Sequence, residues 1–141
     1  MSREIKFRVW DNENKSFFRD TNRAYENVIE QLVISPAGDI NLRKMDGMYH
    51  ESMFPGRFVL QQYTGLKDKN GMDIYEGDII RHEDFSIGCT VDLNITGVVK
   101  MVDGSWCVER GDNGDYLFTE TGTNEVLGSI HENPELLEVT P

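Results

Sequence analysis

The sequence predicts an all-β fold. Three observations carry this expectation. Apolar residues recur at every second position over short runs, as in Ile5, Phe7 and Val9 or Ile40 and Leu42. Turn residues separate these runs at roughly ten-residue intervals. Thirteen glycines supply the turns, and no stretch sustains a helical period long enough for more than a helical turn.

Ile5–Trp10 alternates as a half-buried strand, and Asp11–Lys15 is a turn from which Ser16–Arg19 returns antiparallel. The segment 23–30 reads either as a short helical turn, with Tyr25, Val28, Ile29 and Leu32 at helical spacing, or as extended chain. A helical turn leading into a strand at Gln31–Ser35 is expected. Ser35-Pro36-Ala37-Gly38-Asp39 is a turn, because proline presets one φ and glycine supplies a positive one. Ile40 and Leu42 then complete a second hairpin. Met45–Arg57 has glycines, a proline and no sustained period, so it is expected to be a loop.

Phe58–Tyr63 is a strand, and a polar, glycine-punctuated loop from Thr64 to Gly77 leads to another at Asp78–His82. Gly97–Val102 and Ser105–Glu109 flank Asp103-Gly104, the strongest short hairpin signal in the chain, since both central residues of a type I′ turn need positive φ. A further turn at Gly111–Asp115 precedes Tyr116–Phe118, and Glu125–Ile130 is the last strand. Asn133–Leu137 reads as a turn or a single helical turn laying Leu136 and Leu137 on the core. These elements predict an N-terminal β-hairpin lobe over residues 1–63 and an SH3-like small barrel over residues 64–141.

Charge bounds the partners. Residues 1–23 carry net +2, residues 24–110 net −6 and residues 111–141 net −7, the last with no Lys or Arg. Phosphate neutralisation needs clustered cations, so direct nucleic-acid contact is disfavoured. The exception is weak binding through the N-terminal hairpin, which holds Arg3, Lys6, Arg8, Lys15, Arg19 and Arg23. The N-terminus lacks the apolar core of a signal peptide, and no apolar run is long enough to span a membrane. A cytoplasmic location is expected. In a reducing compartment Cys89 and Cys107 read as small core residues.

No motif of site chemistry survives inspection. Strands flank the loop at 64–77, and it lacks both glycine-rich phosphate patterns, so it is no phosphate cradle. Asp68, Asn70, Asp73, Glu76 and Asp78 are dense in oxygen, which leaves a cation open. The EF-hand register fails, because a glycine at its turn position puts Leu66 or Met72 first. The structural reading is that Asp68 and Asn70 bond the turn backbone and Gly71 takes positive φ. His50, His82 and His131 are scattered and form no zinc motif. No nucleophile or base is singled out, so no catalytic, metal or cofactor residue is assigned. Trp106 reads as core. Trp10, ending a strand beside a turn, reads as partly exposed and is the one residue assigned to a protein interface.

Several stretches together resemble the YopX family of phage and prophage proteins. They are Arg3–Asp11, Gln62–Gly71, Ile74–Ile80, Gly97–Val99, Asp103–Trp106 and Val126–Leu137, in that order. The resemblance implies a mainly β fold with a barrel-like part and a phage or prophage origin, and it carries over no catalytic residue. With no catalytic constellation, the expected function is a non-enzymatic accessory protein that binds another protein or assembles with itself, through edge strands such as Ile5–Trp10. The alternative is a nucleic-acid-related role, by weak binding through the hairpin or by acidic DNA mimicry toward a host protein.

Overall fold

The computed structural model describes residues 4–84, 93–119 and 121–137, and it is all-β. Among the described residues there are thirteen strands: β1 (Phe7–Asp11), β2 (Ser16–Phe17), β3 (Thr21–Arg23), β4 (Val28–Ile34), β5 (Ile40–Lys44), β6 (Gly47–His50), β7 (Phe58–Lys67), β8 (Asp73–Tyr75), β9 (Asp78–Asp84), β10 (Leu93–Val102), β11 (Ser105–Arg110), β12 (Asn113–Tyr116) and β13 (Gly122–Ser129). The only helical elements among the described residues are three single 3-10 turns, Ala24–Glu26, Glu51–Met53 and Pro134–Leu137. No helix among them is long and apolar enough to cross a membrane.

The chain forms two compact units. The first comprises Met1–Phe7 with Gln61–Pro141, and the second Arg8–Leu60. The opening residues therefore group with the C-terminal half rather than with the lobe that follows them in sequence.

In the Arg8–Leu60 unit, β3 to β6 form an antiparallel sheet in sequence order, with Leu32, Leu42 and Tyr49 in one cross-strand row. Leu42 and Ile40 are almost fully buried and, with Val9 and Trp10, make this unit's core. The helical turn expected near residues 23–30 is present, but it joins two paired strands, β3 and β4, with Asn27 at φ +60 closing the connection. Met45–Arg57 is not wholly loop. Met45-Asp46 turns the chain so that β6 pairs with β5, and the 3-10 turn follows. The expectation failed because four residues, GMYH, are too short to show a period.

In the other unit, five antiparallel strands run in the order β12-β11-β10-β9-β13 and curl into a half-barrel. Its core is Ile74, Ile80, Ile95, Val99, Val108 and Leu117, with Leu66, Trp106 and Val126 packed against them. Trp106 is thus at the edge of the core. The β10–β11 turn has Asp103 at φ +48 and Gly104 at +82, as the type I′ pairing requires. At Gly97 the backbone of β11 comes so close that an added Cβ would lie 2.7 Å from the Glu109 carbonyl carbon. The C-terminal 3-10 turn exposes Leu136, so only one of its two leucines is half-buried.

Candidate functional site

The loop between β7 and β8 is a structural joint. Asp68 is buried, and its Oδ1 accepts from the amides of Asn70 (2.9 Å) and Met72 (2.8 Å), while Oδ2 accepts from Val126 N (2.9 Å). Burial alone would raise its pKa. The three amides outweigh burial and hold the carboxyl below the ordinary aspartate value. Gly71 has φ +83, and Lys69 N donates to Asn124 O, so the loop lies along the edge of β13. The other oxygens once open to a cation point elsewhere. Asp73 is bonded by Lys6 and Lys67, Asp78 Oδ2 accepts from Tyr75 N (2.8 Å), and Glu76 Oε1 faces Gln62 N (3.4 Å). Each of these carboxylates serves a separate donor, and the four do not converge.

Trp10 is 4 % exposed, which corrects its assignment to an interface surface. The turn beside it is the reason. Trp10 pairs across β1–β2 with Phe17, whose ring meets it edge-on at 5.1 Å, and Nε1–H donates to Asn12 Oδ1 at 3.0 Å. The same turn is locked by Asp11, which accepts a bidentate pair from Arg57 (3.0 and 3.1 Å) and bonds from Glu13 N and Asn14. Nor does β1 offer an open edge. Phe18 N donates to Val9 O on one side, while Asn12 N donates to Arg57 O and Tyr63 N to Lys6 O on the other.

Of the cysteines, Cys89 lies outside the described residues. Cys107 is half-buried on the outer face of β11, opposite in facing to Val108, which corrects its reading as a core residue: strand alternation gives the core to Val108 instead. Around it the side chains of β10, β11 and β12 frame a shallow groove of about 280 Å³ lined by Ser105, Cys107, Glu109, Asp103, Asp115 and Tyr116. Burial pushes the Cys107 thiol above its ordinary pKa, and Glu109, Asp115 and Asp103 push it further the same way. The thiol is therefore held protonated by burial and, to a lesser degree, by the surrounding carboxylates, and is a poor nucleophile. Tyr116 and Phe118, on and just beyond the sheet's edge strand β12, are among the most exposed large apolar side chains of the molecule.

The groove sits in the acidic unit. Met1–Phe7 and Gln61–Pro141 hold seven Lys and Arg against seventeen Asp and Glu, net −10, whereas Arg8–Leu60 holds seven against eight, net −1. Every described cation of the acidic unit is already engaged. Lys6 and Lys67 bind Asp73, Lys69 and Arg81 bind Glu125, Lys100 faces Glu109, and Arg110 donates to the carbonyls of Thr96 and Leu137. What this surface presents is carboxylate with aromatic edges.

The histidines separate by environment. His131 Nε2 meets Gln61 Nε2 at 3.0 Å, and His50 is exposed beside Asp39. His82 is fully buried between Asn124 and Asp115. Strand parity with the core residue Ile80 was the sequence signal for that burial.

No curated protein matches the chain. A crystal structure of the yopX protein from Bacillus subtilis is similar, with 23% identity, a TM-score of 0.55, and coverage of 94% of this chain and 97% of that one. An Enterococcus faecalis protein of known structure shares 24% identity, covering 97% of this chain and all of the other, with a TM-score of 0.47. The first likeness shows the common β architecture. The sequence family described as YopX protein matches residues 6–138. With the match spanning both units, the chain belongs to the YopX family, whose function is unknown.

Proposed function

We propose that this protein is a non-enzymatic accessory protein of phage or prophage origin that acts in the cytoplasm by binding a basic protein partner. The contact is the acidic groove between β10, β11 and β12. One observation carries the reading: Asp103 and Glu109, the latter facing Lys100, border an apolar-edged depression in a unit of net −10 whose described cations are all internally engaged. Such a field steers and orients a positively charged surface, and Tyr116 supplies apolar contact at the rim. Self-assembly through the same face is disfavoured, because two copies would oppose like charges. The same chemistry accommodates DNA mimicry, in which the partner's own DNA-binding surface is what the groove engages.

The test is affinity capture from host lysate with the intact protein and with the double variant Asp103→Lys, Glu109→Lys. The reading expects a basic protein held by the former, released by about 0.5 M salt, where charge is screened within a few ångströms, and lost by the variant. Identical capture by both proteins would refute it. Displacement of the partner by duplex DNA would identify the mimicry form.

A further inference from the structure

Two clusters of metal-ligating side chains occur among the described residues, His82 with Asp84 and Asp115, and Asp39 with His50 and Glu51. Hydrogen bonding to the histidines separates them. In each case the bond at Nδ1 decides what Nε2 carries.

At His50, Nδ1 accepts from the Ser52 amide at 3.1 Å. The neutral ring therefore has its proton on Nε2, which faces Asp39 as a donor at 3.6 Å. Glu51 is occupied as well, accepting from Ile40 N at 2.6 Å. The neutral His50 ring offers no lone pair to a cation, so this cluster lacks its imidazole ligand.

At His82 the logic runs the other way. Asn124 Nδ2 donates to Leu117 O at 2.9 Å, which fixes the amide with Oδ1 toward the histidine. His82 Nδ1 meets that oxygen at 2.6 Å, so Nδ1 must carry a proton. The neutral ring then aims the Nε2 lone pair at Asp115 Oδ2, 3.1 Å away. In that form two acceptors face each other around a side chain of zero exposure, with Asp84 in the same cluster, and either a proton or a cation fills the position between them.

We propose that His82 Nε2, Asp84 and Asp115 form a binding site for a divalent transition-metal ion of the Zn²⁺ or Mn²⁺ class. The ligand atoms all lie within 4.8 Å of one another. Bonds of about 2.0–2.1 Å in a tetrahedral site put ligand atoms roughly 3.3 Å apart, close to the His82–Asp115 separation. Each ligand also has the outer partner such sites use: Asn124 for His82, the Thr121 hydroxyl for Asp84, and Tyr116 N (2.8 Å) for Asp115 Oδ1. Beside them Gly122 leaves no room for a Cβ against His82 Cε1 and Thr119 Oγ1, and the latter is a buried hydroxyl without a hydrogen-bond partner among the described residues. One imidazole and two carboxylates suit a borderline to hard cation, with remaining positions open to water on the side of the half-exposed Asp115. The ion would tie β9 to β12.

The experiment is calorimetric titration of the chelator-stripped, full-length protein with Zn²⁺ alone and Mn²⁺ alone, with Mg²⁺ as a control, alongside melting curves. Wild type should bind one ion and melt at a higher temperature with it. Asp115→Asn and Asp84→Asn should each weaken binding by more than about tenfold, while His50→Gln leaves it unchanged. In the absence of metal, Asp115→Asn presents an amide donor to Nε2, so its melting temperature should be unchanged or raised. A wild type that binds neither ion, or binding lost in His50→Gln and kept in Asp115→Asn, would overturn the proposal. So would a metal-free Asp115→Asn protein markedly less stable than wild type, since that identifies an imidazolium–carboxylate ion pair.

Discussion

The two units use charge in opposite ways. In Arg8–Leu60, acid and base nearly balance and the best-placed pair is buried: Asp11 is 1 % exposed, and Arg57 stacks its guanidinium over Phe58 at 4.8 Å. The charge there shapes a turn. In the unit built from Gln61–Pro141 with the first seven residues, the core is aliphatic and the excess of acid is on the surface, where its described cations are consumed by pairing. One unit spends its charges on structure. The other keeps carboxylates unmatched, and unmatched surface charge is what a partner can recognise.

The largest effect should come from Arg57→Ala. It leaves Asp11 buried without its guanidinium, which costs about 4 kcal/mol for an orphaned buried charge. Urea unfolding measures the loss, and hydrogen exchange should show it in Arg8–Leu60. An effect below about 1 kcal/mol would break the contrast, making the pair a solvated surface bridge. Next comes Asp68→Ala, which strips the acceptor from the amides of Asn70, Met72 and Val126 and should cost about 3 kcal/mol in the acidic unit. Gly97→Ala should cost about 2 kcal/mol, because its Cβ meets the β11 backbone, which cannot move aside like a side chain.

Acid should affect both units by the same sign. Burial raises the pKa of Asp11 and of Asp68, but Arg57 and neighbouring amides in the first case, and three amides with the charge of Lys69 in the second, bring each carboxyl below its unfolded value. Such groups add stability that is complete above the unfolded pKa of about 3.9 and is lost as pH falls through the folded one. Melting temperature should therefore drop below about pH 4, and Asp68→Asn should flatten that slope. A slope unchanged in the variant would remove Asp68 from the account.

How much of this was readable in the chain depends on sequence distance. The Asp103-Gly104 turn was legible because its requirement, two adjacent positive φ values, is local. So was the role of Asp68 and Gly71 in their loop. β6 was missed because Gly47–His50 is short and follows a turn at Met45-Asp46 that its neighbours disguise. Trp10 was misjudged because proximity to a turn suggests exposure, whereas the turn folds Phe17 onto it. His82, Asn124 and Asp115 stand 33 to 42 positions apart along His82's two contacts, and only the register of β9 with β13 and the path of β12 unite them. The groove is of the same kind: its carboxylates, Asp103 and Glu109, come from a turn and a strand, invisible as a motif.

The most direct test of the central claim compares the units on one partner. With the captured protein purified, its dissociation constant is measured for Asp103→Lys, Glu109→Lys in the acidic unit and for Met45→Gln, Met48→Gln, Met53→Gln, which removes the exposed methionines of the other unit. At least a tenfold loss, about 1.4 kcal/mol, is expected for the first variant and none for the second. Loss confined to the methionine variant would contradict it and move the binding surface to Arg8–Leu60.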